Sequence, residues 1–312
     1  MKRTCMLAVL TAAVWATLGG GVAFGESPLE ERVKKLEGKV AALETKAAAS
    51  ESKIAALEAT LTGVSQSGNT ITFSGKNVKI DNGSGCEGCT TGLGNLIVGY
   101  NLEAREQKGS HNIILGPKES VNGFGNIVVG EANTVERSEN LVGGERNTAR
   151  SSDNLVAGQD NTVAEYTGQF VSGYRNTGTN FASGINGGAF NVASGFAASV
   201  SGGAHNVASG QWSAVGGGEH NTAFGSPLGG ELKASWIGGG EENEAGGLDS
   251  SVSGGEKNAA FGNYSSILGG EKNAAGELAT VSGGKENIAG GKYASILGGK
   301  GINCETELCR NP

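Results

Sequence analysis

The chain has little proline, four residues in 312, and little histidine, only three. Aromatic residues make up 5% of it. It also lacks a basic excess: the formal net charge is -7, and no basic stripe interrupts it. Each shortage excludes something. With so little proline and no Gly-X-Y period, the 56 glycines cannot be collagen. Without a basic face, nucleic acid is a poor partner. His111, His205 and His220 stand alone, and no G-x-S-x-G or H-E-x-x-H spacing occurs, so no catalytic nucleophile or zinc-hydrolase helix is expected. After the first 25 residues no apolar run is long enough to span a membrane as a helix, so the mature chain is expected to carry no transmembrane segment. Simple disorder is excluded as well, because Val, Ile, Leu and Ala recur at fixed places among the glycines.

Residues 1–25 read as a signal peptide. Lys2 and Arg3 give a positive start, Met6 to Leu18 are apolar, and Ala23 and Gly25 are small residues at A-x-A-like positions. The mature protein is therefore expected to be exported and soluble: extracellular, at the cell surface or in the periplasm. Cys5 leaves with the signal, and Cys86, Cys89, Cys304 and Cys309 remain. An even count in an exported chain favours disulfides. Local bridges, Cys86–Cys89 and Cys304–Cys309, are the preferred pairing. Links between chains, a zinc site or a redox pair are the alternatives. Thr90 stands where a c-type haem motif needs His.

Residues 29–64 form a heptad pattern. Leu29, Leu36, Leu43, Leu57 and Val64 fall at d positions, and Val33, Val40, Ile54 and Leu61 at a positions. Ala47 and Ser50 weaken the middle of the seam. All five e positions are Glu (Glu30, Glu37, Glu44, Glu51, Glu58), and four g positions are Arg32, Lys39, Lys46 and Lys53. In a parallel coiled coil each basic g residue meets a Glu of a neighbouring chain. An antiparallel arrangement sets like against like. The charges set orientation more than stability. A parallel homo-oligomer is expected. Residues 65–91 are a short connector containing the Cys86-x-x-Cys89 loop. Its expected strands are Thr70–Phe73 and Val78–Ile80, with Ser74–Asn77 as the turn.

Residues 92–303 are periodic. Early copies read "NLIVGYN", "NIVVGEAN", "NLVGGERN" and "NLVAGQDN"; later ones read "SVSGGAHN", "SVSGGEKN", "SILGGEKN" and "SILGGKGIN". Most neighbours lie 14 or 15 residues apart, with irregular stretches from Phe181 to Gly195 and around Pro227. Each period joins a strand with a β-branched centre, a Gly turn and a second strand-like N-x-A or N-x-V. Two short strands and two turns make one rung of a solenoid. Glycine supplies the positive φ of tight turns. The repeat asparagines Asn133, Asn147, Asn161, Asn206, Asn221, Asn258, Asn273 and Asn287 are expected to stack into a structural hydrogen-bond ladder. So thin a roll buries little apolar surface alone and is expected to pack against copies of itself. "GGAFNVASG" from Gly187 lacks the regular Asp of calcium-binding nonapeptides, and the chain holds four Asp in all.

The period, the Gly position and the Asn position together resemble the head repeats of YadA-like trimeric autotransporter adhesins. The resemblance runs from about Gly92 to Asn303. It implies a left-handed parallel β-roll, three chains, and surface exposure for adhesion or as a spacer. The chain departs from that family in two ways: the coil precedes the roll, and after the tail at 304–312 there is no room for a C-terminal membrane barrel. Val or Ile at a with Leu at d favours two strands; the resemblance favours three.

The expectation is thus a mostly β protein, a left-handed parallel β-roll of 14–15-residue rungs preceded by a parallel coiled coil, trimeric. Its expected role is that of an exported, non-enzymatic, adhesin-like rod, with no cofactor and no metal, for a host, matrix or glycan ligand. A glycan-binding module is the alternative. A β-solenoid polysaccharide-degrading enzyme is less favoured, because the acids are scattered in turns.

Overall fold

The computed structural model describes residues 27–86, 88–101, 108–224 and 234–311. The signal peptide expected at 1–25 lies outside them. The chain divides into two units, with the boundary between Val78 and Lys79.

The first unit opens with helix α1, Pro28–Leu61. Ser27 caps it: its Oγ accepts from the Glu30 N–H at 3.2 Å, while the Glu30 carboxylate accepts from the Ser27 N–H at 2.7 Å. This reciprocal pair satisfies two helix-end donors, and Pro28 sits where its missing N–H costs nothing. The 34 residues make a rod of about 50 Å. None of them is buried. Leu29, Val33, Leu36, Val40, Leu43, Ile54, Leu57 and Leu61 all stand open to solvent.

The helix stops three residues before the expected end. Thr62 closes it, and Gly63 turns the chain at φ 86°. Val64, expected as the last seam residue, instead opens strand β1 (Val64–Ser67), which pairs antiparallel with β2 (Thr70–Phe73). The hairpin expected between Thr70–Phe73 and Val78–Ile80 is therefore not formed. Gly68-Asn69 supplies a two-residue turn earlier in the chain, with Gly68 at φ 57°, and β2 is taken by β1 before Val78 is reached.

The second unit is a parallel β-solenoid. Its strands alternate between two sheets and stack in chain order. Among the described residues the larger sheet has 15 strands, from Leu96–Val98 to Arg310–Asn311, and the smaller has 12, from Ser120–Val121 to Ile288–Ala289. Pleating sends alternate side chains to opposite faces, so each strand contributes one inward residue. In the larger sheet these are Val or Ile: Val142 pairs with Val156, Val252 with Ile267, Val281 with Ile296. In the smaller sheet they soon settle to Ala: Ala208, Ala223, Ala245, Ala260, Ala275, Ala289. Large opposite small fills so narrow a coil. From Ile114 to Ile296 in one sheet and from Val121 to Ala289 in the other, both files are buried within one chain. The roll thus encloses its own core more completely than its thinness led us to expect.

Two kinds of rung are present. In the early rungs five positions separate the inward residue from the ladder Asn (Val142 to Asn147), and the strand runs for five residues, as in Leu141–Glu145. From Ile185 onward the interval is six positions (Val252 to Asn258). The added Gly breaks the strand into a two-residue piece, Ser251–Val252, and an isolated bridge at Glu256. This is why the five-residue strands of the early rungs shrink to two residues in the later half. Phe181 to Gly195, expected to be irregular, forms an ordinary rung: Gly184–Ile185 pairs with Ser199–Val200, and Asn191 joins the ladder. The other irregular stretch, around Pro227, lies outside the described residues, within a rung that takes 22 residues from Asn221 to Asn243. Among the described residues no helix is long and apolar enough to cross a membrane.

Candidate functional site

The repeat asparagines form the central feature of the roll. Asn258 shows the pattern. Its Oδ1 accepts from the backbone N–H of Asn273 at 3.0 Å and from the Asn273 side chain at 3.1 Å. Its Nδ2 donates to Asn243 Oδ1 at 3.1 Å, to the Gly254 carbonyl at 3.0 Å and to the Gly270 carbonyl at 2.9 Å. One side chain thus ties three rungs together. All eight asparagines expected in the ladder are in it, along with Asn176, Asn191 and Asn243, which were not among the eight. These residues are buried, and their polar atoms are spent on backbone and on one another. The arrangement holds rungs in register and leaves nothing at these side chains for a ligand.

A second ladder runs along the other turn of the early rungs. Asn95, Asn112, Asn126, Asn140 and Asn154 pass the same bond from rung to rung, and Gln169 ends the series. These are the opening asparagines of the early phrases, a signal present in the sequence but not assigned a role there. In the later rungs Ser213, Ser250 and Ser265 replace them, and each hydroxyl donates to a glycine carbonyl three residues back.

Glycine does not carry the turns alone. The residue before each ladder Asn is left-handed whatever its type: Arg146 at φ 54°, Phe190 at 57°, His205 at 55°, Lys257 at 56°. Such a conformation costs an ordinary side chain about 1 kcal/mol. The ladder bonds on the adjacent Asn offset that cost. The last rung departs from the expected register. Gly301 takes the left-handed position, so Ile302 occupies the ladder slot and Asn303 pairs with Ile288 instead. The Ile302 N–H still donates to Asn287 Oδ1 at 3.0 Å, but no side-chain oxygen continues the series.

One rung carries an acid. Glu119 is buried in the ladder slot below Asn133, and its two carboxylate oxygens accept from the Asn133 N–H at 2.8 Å and the Asn133 side chain at 3.2 Å. Burial pushes its pKa up from 4.5 to about 7, against the lowering effect of those two bonds. The folded state therefore holds this proton more tightly than the unfolded state. The resulting stabilisation is complete below pH 4.5 and is lost as pH rises through 7. Glu119→Gln keeps one acceptor and removes the charge. Its advantage over the parent is expected to grow by about 2 kcal/mol between pH 5 and pH 8, read from urea midpoints at both values. A gap independent of pH would contradict this.

Both local disulfides are present, Cys86–Cys89 and Cys304–Cys309. The second closes the end of the core. Cys304 follows Ala289 by one rung in the smaller sheet's file, and Cys309 follows Ala294, so the bridge sits where the next alanines would have been. Ile302, partly buried, packs against the same core. Replacing both cysteines by Ala is expected to cost about 2 kcal/mol from the freed loop, with fraying confined to the last rung in hydrogen exchange. Protection lost evenly along the roll would overturn that assignment.

Charged side chains pair on the surface, both between rungs and within one. Lys285 meets Glu271 at 2.7 Å and Lys272 meets it at 3.0 Å; together they hold the Glu271 carboxyl down at about 2. Arg146 reaches Asp160 at 2.8 Å. His205 and His220 sit in the left-handed turn positions, stacked 4.8 Å apart, which fits turn residues better than catalysts.

A cleft of about 640 Å³ lies near the start of the second unit, lined by Lys79, Asp81, Asn82, Cys86, His111 and Phe124 among others. Asp81 is held by Lys79 at 3.0 Å and by the Gly83 N–H, which keep its carboxyl below the usual range. His111 Nε2 accepts from the Asn82 N–H at 3.3 Å. Its polar groups are thus paired with the wall around them. Among the described residues no three His, Cys, Asp or Glu side chains gather to hold a metal ion.

The outward faces differ along the roll. In the early rungs the larger sheet shows Ile113, Ile127, Leu141, Leu155 and Phe170 to solvent in one file. Later the same file reads Ser251, Ser266, Thr280 and Ser295. No known family model matches the chain, and no curated protein matches it either.

Proposed function

We propose that this protein is an exported, non-enzymatic parallel homotrimer whose rigid repeat roll, built like an adhesin head of left-handed β-roll type, is used for adhesion or as an assembled spacer. The observation that carries the reading is the apolar seam of α1. Eight heptad residues from Leu29 to Leu61 lie exposed on a helix with no buried residue. A helix open on its apolar face gains little until partner helices cover it. The e and g charges favour parallel copies. The exposed aliphatic file from Ile113 to Phe170 is a second surface that gains from contact with a copy of itself. The ladders support the same reading from another side, because they spend the most repeated polar groups on rigidity.

The test is the solution mass of the mature chain, residues 26–312, by light scattering on a sizing column. Three chains per particle are expected. Leu36→Lys with Leu43→Lys is expected to give single chains whose far-UV spectrum keeps the β signal of the roll. A parent protein that runs as one chain overturns the proposal.

A further inference from the structure

Between Arg175 and Glu219 the chain contains no Asp, Glu, Lys or Arg, although 18% of the whole is charged. About three consecutive rungs are thus free of fixed charge, and it is here that rings gather on the surface. Phe181, Phe196 and Trp212 occupy the turn from the smaller sheet back to the larger on successive rungs, each about 40% exposed. Phe181 and Phe196 stack with centroids 5.4 Å apart, and Trp212 stands 6.3 Å beyond, turned 80° to Phe196. Around them are neutral polar groups, Asn180 and Gln211. The same rungs carry a second column, Tyr174, Phe190, His205 and His220, in the opposite turn. From Phe190 to His220 its rings lie within 5° of parallel, so they cover one another's faces.

Trp212 also holds a costly backbone conformation, φ 54°, where a bulky residue is disfavoured. Nothing in the core requires it, since Ala197 and Ala182 fill the same slot one and two rungs earlier. A large ring kept exposed at such a position, in a band stripped of charge, fits a ligand that is itself uncharged and presents C–H faces and hydroxyls. Aromatic rings offer such a ligand dispersion contact and the Gln211 amide offers hydrogen bonds, whereas the Asn180 amide is held by the Phe181 N–H and the Ser194 carbonyl.

We propose that the edge formed by Phe181, Phe196 and Trp212 binds an uncharged polysaccharide, lying along the roll axis across successive rungs. The inference rests on the reading of the roll as a non-catalytic display surface and names the class of ligand that it displays to. Three parallel chains would add avidity to a weak contact.

The experiment is affinity electrophoresis of the full mature protein in native gels cast with hydroxyethylcellulose, xylan, galactomannan or laminarin, and with heparin and polygalacturonate as charged counterparts. At least one neutral polymer is expected to retard the protein, and 0.5 M salt in the gel is expected to leave that retardation in place. Trp212→Ala and Phe196→Ala are each expected to weaken it about tenfold, and Tyr293→Ala, an exposed ring on a distant rung, to leave it unchanged. Light scattering of the same variants keeps the two proposals apart: an unchanged mass with lost retardation supports the sugar site. Retardation by the charged polymers only, no retardation at all, or a changed mass in Trp212→Ala would each overturn it.

Discussion

Gly270→Ala is expected to cost more than about 4 kcal/mol, while Gly269→Ala, its neighbour in the same Gly-Gly pair, changes stability by less than about 0.5 kcal/mol. The two glycines look alike in sequence and differ in the roll. Gly270 has φ 94°, and a Cβ there would stand 2.2 Å from the Gly284 carbonyl oxygen and 2.5 Å from the Asn273 side-chain nitrogen. The oxygen belongs to the backbone of the next rung, so it can yield only if the rungs part. The nitrogen belongs to the ladder, so moving it breaks bonds to two further rungs. A Cβ on Gly269 meets nothing within 4 Å. In a solenoid each rung touches only its neighbours, so a break in the middle uncouples the two sides. Urea denaturation followed by far-UV circular dichroism is expected to show one transition for Gly269→Ala and a split or early transition for Gly270→Ala. Equal midpoints for the two variants would rule out the close stacking at Gly270.

The second large effect is expected at the ladder. Asn258→Ala should destabilise the protein by about 3–5 kcal/mol. The side chain is fully buried, so water cannot replace what it bonds. Its loss leaves the buried Asn273 N–H unmatched, at about 1–3 kcal/mol, and takes one further bond each from the Asn243 and Asn273 side chains and from the Gly254 and Gly270 carbonyls. Lys257→Gly next door is the control. Lys257 is left-handed at φ 56°, so glycine relieves strain there, and the variant is expected to be neutral or slightly stabilised. Urea midpoints, read by tryptophan fluorescence, give both values. A cost under about 1 kcal/mol for Asn258→Ala would mean that the ladder decorates the fold and does not hold it.

These two cases show how far the sequence could be read. The 14–15-residue period and the β-branched centres were enough to place two strands in each rung, because a side-chain period of two admits only one inward face. Asn at a fixed offset from Gly was enough for the first ladder. The second ladder was equally visible as the opening Asn of the early phrases, but nothing local distinguishes a laddered Asn from a solvated one before the rungs stack. The local disulfides followed from short spacings, whereas the capping role of Cys304–Cys309 depended on finding both cysteines in alanine slots.

By itself, then, the sequence determined the repeat, the parallel solenoid and a helix from about Leu29, and it favoured the two local cysteine pairings, since each rests on spacing along the chain. The tertiary structure decided the rest. It gave Gly270 and Gly269 different standing, moved the last rung's register from Asn303 to Ile302, and made Phe181 to Gly195 regular. It also placed the charge of Glu119 inside the ladder and gathered Phe181, Phe196 and Trp212 on one edge. The physical reason is common to all of these: contacts between rungs join residues 11 to 22 positions apart, and whether a Cβ, a carboxylate or a ring is tolerated depends on the atom stacked above it.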